Sequence, residues 1–137
     1  MKTNTTSLPT LRITASDRQR LRELVNSVIQ SQPRLRETLQ PLQEELERAE
    51  VMERWNIPAT TVVMGSRVEI EDVENGEVDA YTLVYPEHAD IATGKLSILA
   101  PIGTAIIGFS EGDTFTWKTP GGPRQIRLRK VEAPAEA

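Results

Sequence analysis

The side chains that most often carry catalysis are scarce in this sequence. It has one histidine, His88, and no cysteine. A single histidine cannot form a histidine-based metal cluster, and any catalytic triad or histidine acid–base pair would have to include it. The absence of cysteine excludes thiolate nucleophiles, thiolate metal ligands and disulfides. We therefore expect no catalytic residue, no metal and no cofactor, and we assign His88 a surface or hydrogen-bonding role.

Charged side chains gather in two other places that could bind a ligand. Six acids surround one predicted β-hairpin and offer oxygen ligands for a cation: Glu69, Glu71, Asp72, Glu74, Glu77 and Asp79. The last predicted strand carries four basic side chains that could meet an acidic partner: Arg124, Arg127, Arg129 and Lys130. Half-exposed strands normally alternate in this way, so we interpret both groups as solvated strand faces. Gly121-Gly122 lacks the Lys-Ser/Thr of a phosphate-binding loop and is interpreted as a plain loop.

Composition and charge limit the partners and the location of the chain. With 137 residues, 38% of them apolar and 26% charged, the sequence fits one medium domain, or a short helical module joined to a small β-rich domain. A net charge of −4 opposes direct DNA binding, because a phosphate backbone attracts basic proteins. The longest apolar runs are far shorter than the roughly 20 residues of a membrane span. We therefore expect a cytoplasmic protein that binds neither DNA directly nor a membrane.

Two helical patterns occupy the first part of the chain. Apolar residues recur at the spacing of one helix face over 21–29, and either Thr14 or Ser16 is placed to cap the start of that helix. After a break at Ser31-Gln32-Pro33, a second pattern runs from Arg34 to Arg54 with a two-heptad apolar seam. Pro41 lies inside this pattern, so it either kinks the helix or starts it. The two patterns predict a short helical hairpin.

The periodicity changes after Asn56-Ile57-Pro58 from helical to alternating. Strand-like runs surround Asn75-Gly76, a pair typical of a type I′ hairpin turn. Pro101 to Ile107 fits a short helix that Gly108 would end, and two further strand-like runs follow it. We predict an α+β fold, in which a helical hairpin precedes an antiparallel β-sheet domain with one short helix.

The second half of the chain carries an ordered series of motifs. It contains the runs Val63-Met64-Gly65-Ser66-Arg67-Val68, Tyr81 to Asp90, Gly94 to Gly108, Gly112-Asp113 and Thr119-Pro120-Gly121-Gly122. In order and spacing these runs resemble the C-terminal domain of the bacterial transcript-cleavage factors GreA and GreB, over about 62–131. The residues at 42–52 are similar to the end of the coiled-coil helix that leads into that domain.

This resemblance implies an FKBP-like fold and a partner. In the Gre family the C-terminal domain docks on the rim of the secondary channel of RNA polymerase, through a loop and short helix around a Ser-Pro pair. The matching pair here is Ala100-Pro101, so a hydroxyl is missing and the apolar part of the contact remains. We therefore expect Leu99, Ala100, Pro101, Ile102 and Gly103 to contact RNA polymerase. The alternative is a mainly structural role, because proline and glycine also serve the turn.

The N-terminal half departs from the Gre pattern. Gre factors present two acidic side chains at the tip of a long coiled coil, where they help hold a catalytic magnesium of the polymerase. The tip here, Ser31-Gln32-Pro33-Arg34, supplies no carboxylate, and His88 stands where the Gre pattern usually has an acid. A Gre-type domain with a short hairpin, preceded by Pro9 to Thr14, is similar to the Rnk group, named for regulation of nucleoside diphosphate kinase. We expect a polymerase-binding regulator that competes with Gre factors and does not cleave transcripts.

Domain boundaries and alternative functions follow from the same patterns. We predict a flexible arm at 1–13, a helical hairpin at 14–55, a Gre-type domain at 58–133 and a tail at 134–137. FKBP-like folds also host prolyl isomerases, so an isomerase is one alternative, and a short transcript-cleavage factor is another. Isomerase pockets are rich in aromatic side chains, and this domain has few: Tyr81, Tyr85, Phe109, Phe115 and Trp117. The sequence leaves open the oligomeric state and whether any effect on the kinase is direct.

Overall fold

The computed structural model describes residues 10–134, and a helical hairpin fills their first part. Helix α1 spans Ala15–Ser31 and helix α2 spans Arg36–Arg48, with the 3-10 turn Pro33–Leu35 between them. The Thr14 hydroxyl oxygen caps α1 by accepting the backbone N–H of Asp17 at 3.3 Å, which confirms one of the two predicted caps. Both helices bury their apolar stripes: Leu21, Val25, Ile29, Leu39, Leu42 and Leu46.

Helix α2 is shorter than predicted. The pattern indicated a helix as far as Arg54, but α2 ends at Arg48 because the chain then extends into a strand. On the exposed side of α2, Arg48 pairs with Glu45 at 2.8 Å. Pro41 lies inside α2, so the alternative in which it starts the helix is wrong. No helix in the described range is long and apolar enough to cross a membrane.

A small parallel sheet joins the start of the described chain to the end of the hairpin. Strand β1 (Arg12–Ile13) pairs with strand β2 (Glu50–Val51), and the N–H of Glu50 donates to the carbonyl of Leu11 at 2.8 Å. Leu11 and Ile13 are buried. The end of the predicted flexible arm is thus packed in the core, while 1–9 and 135–137 lie outside the described residues. The domain boundaries themselves stay a prediction.

A five-stranded sheet forms the second half of the molecule. Its strands are β3 (Arg67–Asp72), β4 (Val78–Val84), β5 (Lys95–Ser97), β6 (Thr114–Thr119) and β7 (Gly122–Glu132), in the spatial order β5-β4-β3-β7-β6. Helix α3 (Pro101–Ile106) follows β5. All neighbouring strands are antiparallel except β4 and β5, which are parallel. The predicted fold class is confirmed, with one parallel pair that the prediction did not include.

The first hairpin turn of the sheet differs from its predicted form. In the β3–β4 turn only Gly76 has a positive φ, +77°, so Asn75 does not adopt the conformation that a type I′ turn requires. The N–H of Gly76 instead donates to the carbonyl of Asp72 at 2.8 Å, which closes a longer loop. Between β6 and β7, pairing extends to Thr119 and Gly122, so Pro120-Gly121 forms a tight turn.

One hydrophobic core extends through the hairpin and the sheet. The sheet and α3 add buried side chains to those of the hairpin, including Val68, Ile70, Leu83, Ile98, Ile106 and Leu128. Leu11 packs against Gly108, where an added Cβ would lie 3.2 Å from the Leu11 side chain. Gly108 has φ +89° and follows the end of α3, as predicted. Apolar burial therefore attaches the hairpin to the β domain.

Candidate functional site

The five predicted contact residues form one continuous segment at the start of α3. Strand β5 ends at Ser97, whose hydroxyl oxygen accepts the Leu99 N–H at 3.0 Å and whose carbonyl accepts the Ala100 N–H at 3.0 Å. These bonds turn the chain, and Pro101 then opens α3. Proline suits that position because its missing N–H would have no partner in the first helical turn. We call residues 99–103 the docking segment.

The docking segment is only partly accessible to a partner. Pro101 is exposed, and Leu99, Ala100 and Ile102 are half-buried. Leu99 and Ile102 pack against the core with one side. Ala100 is the N-cap residue of α3 and makes no side-chain capping bond, as expected from its methyl group. The accessible surface of the segment is therefore apolar and centred on Pro101.

Gly103 has a different role from its four neighbours. It is buried, and a Cβ added to it would lie 2.3 Å from the carbonyl oxygen of Ser97. Real Cβ atoms essentially never approach another atom below 3.0 Å. Gly103 thus lets α3 lie directly on the end of β5, and its position favours the structural alternative for this residue.

The hairpin lies next to the docking segment. Helix α2 contacts α3, whose Ile106 is fully buried in the shared core. Sequence patterns gave no sign of this contact, because α2 and α3 are separated by more than fifty residues. A partner that covers the docking segment would therefore also approach the hairpin.

A second contact between hairpin and β domain is polar, and sequence reasoning missed it. The Tyr85 hydroxyl, just after β4, donates to Asp17 of α1 at 2.7 Å. The Arg20 guanidinium lies 3.7 Å from the centre of the Tyr85 ring and forms an ion pair with Glu87. Asp17, Arg20, Tyr85 and Glu87 are called the junction cluster below. Burial, together with the bond to Asp17, raises the pKa of the Tyr85 hydroxyl, so this group stays a neutral donor.

The hairpin tip has no pair of acids. Ser31, Gln32, Pro33 and Arg34 are all exposed, and Arg34 donates to the side-chain oxygen of Gln32 at 3.2 Å. Magnesium prefers several oxygen ligands, and the tip residues 31–34 offer no carboxylate. Across the described range 10–134, no three His, Asp or Glu side chains are grouped so that they could hold a metal ion.

Three arginines of β7 pair with three acids of β3: the Arg127 and Arg129 pairs lie on the outer face of the sheet, and the Arg124 pair lies at the end of the strands on the face of Ile126 and Leu128. Arg124 pairs with Asp72 at 2.7 Å, Arg127 with Glu71 at 3.4 Å, and Arg129 with Glu69 at 3.9 Å. Burial alone would raise the pKa of Asp72, but the hydrogen bond and charge of Arg124, together with hydrogen bonds from the backbone N–H groups of Glu74 and Asn75, outweigh it and lower that pKa. The acids and the arginines therefore neutralise one another across β3 and β7, which agrees with their interpretation as strand faces.

A cleft of about 1450 Å³ lies where the hairpin, the linker after β2 and the β domain meet. Its lining includes His88, Tyr85 and Trp55, of which Trp55 is 80% exposed. Four of the five aromatic side chains of the β domain are partly buried against the core instead: Tyr81, Phe109, Phe115 and Trp117. Phe109 and Phe115 also stack on each other, with ring centres 5.2 Å apart. Core packing thus occupies most of the aromatic side chains that an isomerase pocket would need.

Comparisons with known proteins match both halves of the chain. The family model "Transcription elongation factor, GreA/GreB, C-term" matches 57–133, more than half of the chain, and the "Rnk N-terminus" model matches 9–52. The regulator of nucleoside diphosphate kinase from Escherichia coli (strain K12) is 36% identical over 97 residues, which cover 70% of this chain and 71% of that protein. The transcription elongation factor GreA from Methylococcus capsulatus is 42% identical over 74 residues, which cover 54% of this chain and 47% of that protein.

A solved structure extends the likeness to the arrangement of both halves. The prokaryotic transcription elongation factor GreA/GreB from Nitrosomonas europaea is 37% identical to this chain and superposes with a TM-score of 0.76. The superposition covers 91% of this chain and 99% of that one. The short hairpin and the β domain therefore occur together in another protein of similar size.

Proposed function

This chain belongs to the GreA/GreB family with an Rnk-type N-terminus, and from that premise we propose that it binds RNA polymerase at the entrance of the secondary channel and regulates transcription there without cleaving the transcript. The observation that carries the proposal is the combination of a Gre-type β domain with a short hairpin whose tip residues, 31–34, hold no carboxylate. The family relation makes it a regulator related to transcription elongation factors. Polymerase docking and the absence of cleavage are our proposal.

Docking would use the accessible part of the docking segment. Exposed Pro101, flanked by half-buried Leu99 and Ile102, offers a small apolar surface held by α3 and β5. Such a rigid apolar projection is suited to a pocket on a partner, because little conformational entropy is lost when it is covered. The methyl group of Ala100 replaces the family hydroxyl, so the contact would depend on apolar burial rather than on a side-chain hydrogen bond.

The hairpin would occupy the channel entrance rather than deliver chemistry to the active site. Helix α1 has 17 residues, so its length is about 26 Å at 1.5 Å per residue. The hairpin tip, residues 31–34, carries Arg34 and no acid, and a basic tip would repel a catalytic magnesium instead of adding a ligand. A protein of this shape would compete with Gre factors for the docking site and leave transcript cleavage unassisted.

The direct test is binding to RNA polymerase with a substitution in the docking segment. Pro101→Glu places a charge in the apolar contact, and glutamate is well tolerated in the first turn of a helix, so the fold should persist. Pro120→Glu in the exposed β6–β7 turn is the matched control. We expect the unsubstituted chain and the control to bind polymerase and displace a labelled Gre factor, and Pro101→Glu to do so weakly. Equal affinity of all three proteins would remove the docking assignment.

A further inference from the structure

The junction cluster is a directional contact between the two halves of the molecule. Its residues lie 65 to 70 positions apart in sequence, with Asp17 and Arg20 on α1 and Tyr85 and Glu87 after β4. The Tyr85–Asp17 hydrogen bond at 2.7 Å and the Arg20 guanidinium 3.7 Å from the Tyr85 ring centre both demand a defined geometry. Hydrogen bonds weaken steeply when they bend, so these contacts restrict the direction of α1.

The position of the cluster connects the hairpin to the docking segment. Tyr85 follows Val84, which pairs with Ser97 of β5 and whose carbonyl accepts the Ile98 N–H at 2.9 Å. The docking segment begins with the next residue. On the other helix of the hairpin, α2 contacts α3 through the apolar core. The hairpin is therefore held by apolar packing, at α2 and at Leu11 against Gly108, and by the polar contacts of the junction cluster at α1.

We propose that the junction cluster is a latch that fixes the direction in which the hairpin projects from the docking segment. Apolar packing at α2 and at Leu11 restrains the direction of the hairpin less than hydrogen bonds do, since it is not directional. The polar contacts at α1 add a directional restraint. Asp17, Arg20, Tyr85 and Glu87 are thus positioning residues that direct the hairpin tip. The functional role of this positioning rests on the proposed function, because the direction of the hairpin affects polymerase binding only when the docking segment is bound to the polymerase.

The latch can be tested in the free protein, independently of any partner. Since the sequence has no cysteine, spin labels can be placed at Ser31→Cys on the hairpin tip and Thr114→Cys on β6 without other changes. Double electron–electron resonance then reports the distribution of distances between tip and sheet. Tyr85→Phe removes the hydrogen bond to Asp17 but keeps the ring, and Arg20→Met removes the charge but keeps the length.

Two control variants separate an effect on the direction of the hairpin from an effect on the stability of the protein. Arg22→Met removes an exposed arginine of α1 that pairs with Glu47 inside the hairpin at 3.0 Å, so it leaves the junction intact. Arg20→Lys retains a cation over Tyr85. We expect Tyr85→Phe and Arg20→Met to broaden the distance distribution, while Arg22→Met and Arg20→Lys keep it narrow. A distribution that stays narrow in both Tyr85→Phe and Arg20→Met would overturn the latch.

The affinity of the same variants for RNA polymerase tests whether the direction of the hairpin affects binding. If opening the latch leaves about a third of the molecules with a correctly directed hairpin, affinity falls about threefold. A broadened distribution with unchanged affinity, while Pro101→Glu still weakens binding, would show that the latch does not position the hairpin for the polymerase. If even the unsubstituted chain does not bind, the proposed function and the positioning role fail together, and the distance distributions still decide whether the latch exists.

Discussion

We expect the substitution Gly103→Ala to lower the free energy of unfolding, although the same replacement usually raises it in a helix. In most helices, replacing glycine with alanine stabilises the protein by up to about 1 kcal/mol. At Gly103 the new Cβ would lie 2.3 Å from the Ser97 carbonyl oxygen, about 1.1 Å short of the 3.4 Å at which ordinary contact begins. The Cβ is fixed by the backbone of α3 and the oxygen belongs to the backbone of Ser97, so the separation can be restored only by moving α3 away from β5.

Overpacking of this kind typically costs about 1–3 kcal/mol, and we place Gly103→Ala near the upper end because no flexible side chain can yield. After the propensity gain, the expected net loss is about 2 kcal/mol. For a chain of this size that lowers Tm by about 4–8 °C.

Urea unfolding, followed by the fluorescence of Trp55 and Trp117, measures the loss directly. The matched control is Ala105→Gly in the same helix, where propensity alone predicts a loss of about 1 kcal/mol. We expect both variants to be destabilised, although they change glycine content in opposite directions. A Gly103→Ala protein as stable as the unsubstituted chain, or more stable, would refute the close approach of α3 to Ser97.

Three further outcomes follow from the site. Pro101→Glu should weaken polymerase binding by about tenfold, the effect of losing one well-placed apolar contact, as measured by titration beside Pro120→Glu. Because Arg124 lowers the pKa of folded Asp72, that pair stabilises the protein above the ordinary pKa near 3.8, and this stabilisation is lost as the pH falls further. Arg124→Met should therefore reduce the loss of stability at acid pH, seen in unfolding curves between neutral and acid pH, and an unchanged acid dependence would contradict the pairing. A short proline peptide should isomerise at its uncatalysed rate in the presence of the chain, and measurable turnover would contradict the non-enzymatic proposal.

Apolar periodicity predicted the helices and strands correctly where residues close in sequence determine the structure. The leucine seam of α2 and the alternation of Val68 and Ile70 in β3 each identify one buried face, so helix and strand were correctly predicted. The end of α2 was wrong because Glu50–Val51 pairs with Arg12–Ile13, a partner distant in sequence. Tertiary pairing overrides helix propensity there.

The candidate site shows the same division between local and distant causes. The family resemblance predicted residues 99–103 as the polymerase contact, which stays a prediction, and Pro101 correctly predicted the start of α3. The buried position of Gly103 follows from the nearby Ser97 carbonyl, which no local spacing encodes. The contact between Tyr85 and Asp17 joins residues 68 positions apart, and neither residue belongs to a pattern that could have indicated it.

Competition at the polymerase tests the central claim most directly. RNA polymerase carrying a labelled Gre factor in a backtracked complex reports displacement and transcript cleavage in one experiment. The account predicts that this chain displaces the labelled factor, that cleavage falls as displacement proceeds, and that Pro120→Glu behaves in the same way. A labelled factor that stays bound at micromolar concentrations of the chain, or cleavage stimulated by the chain itself, would contradict the account.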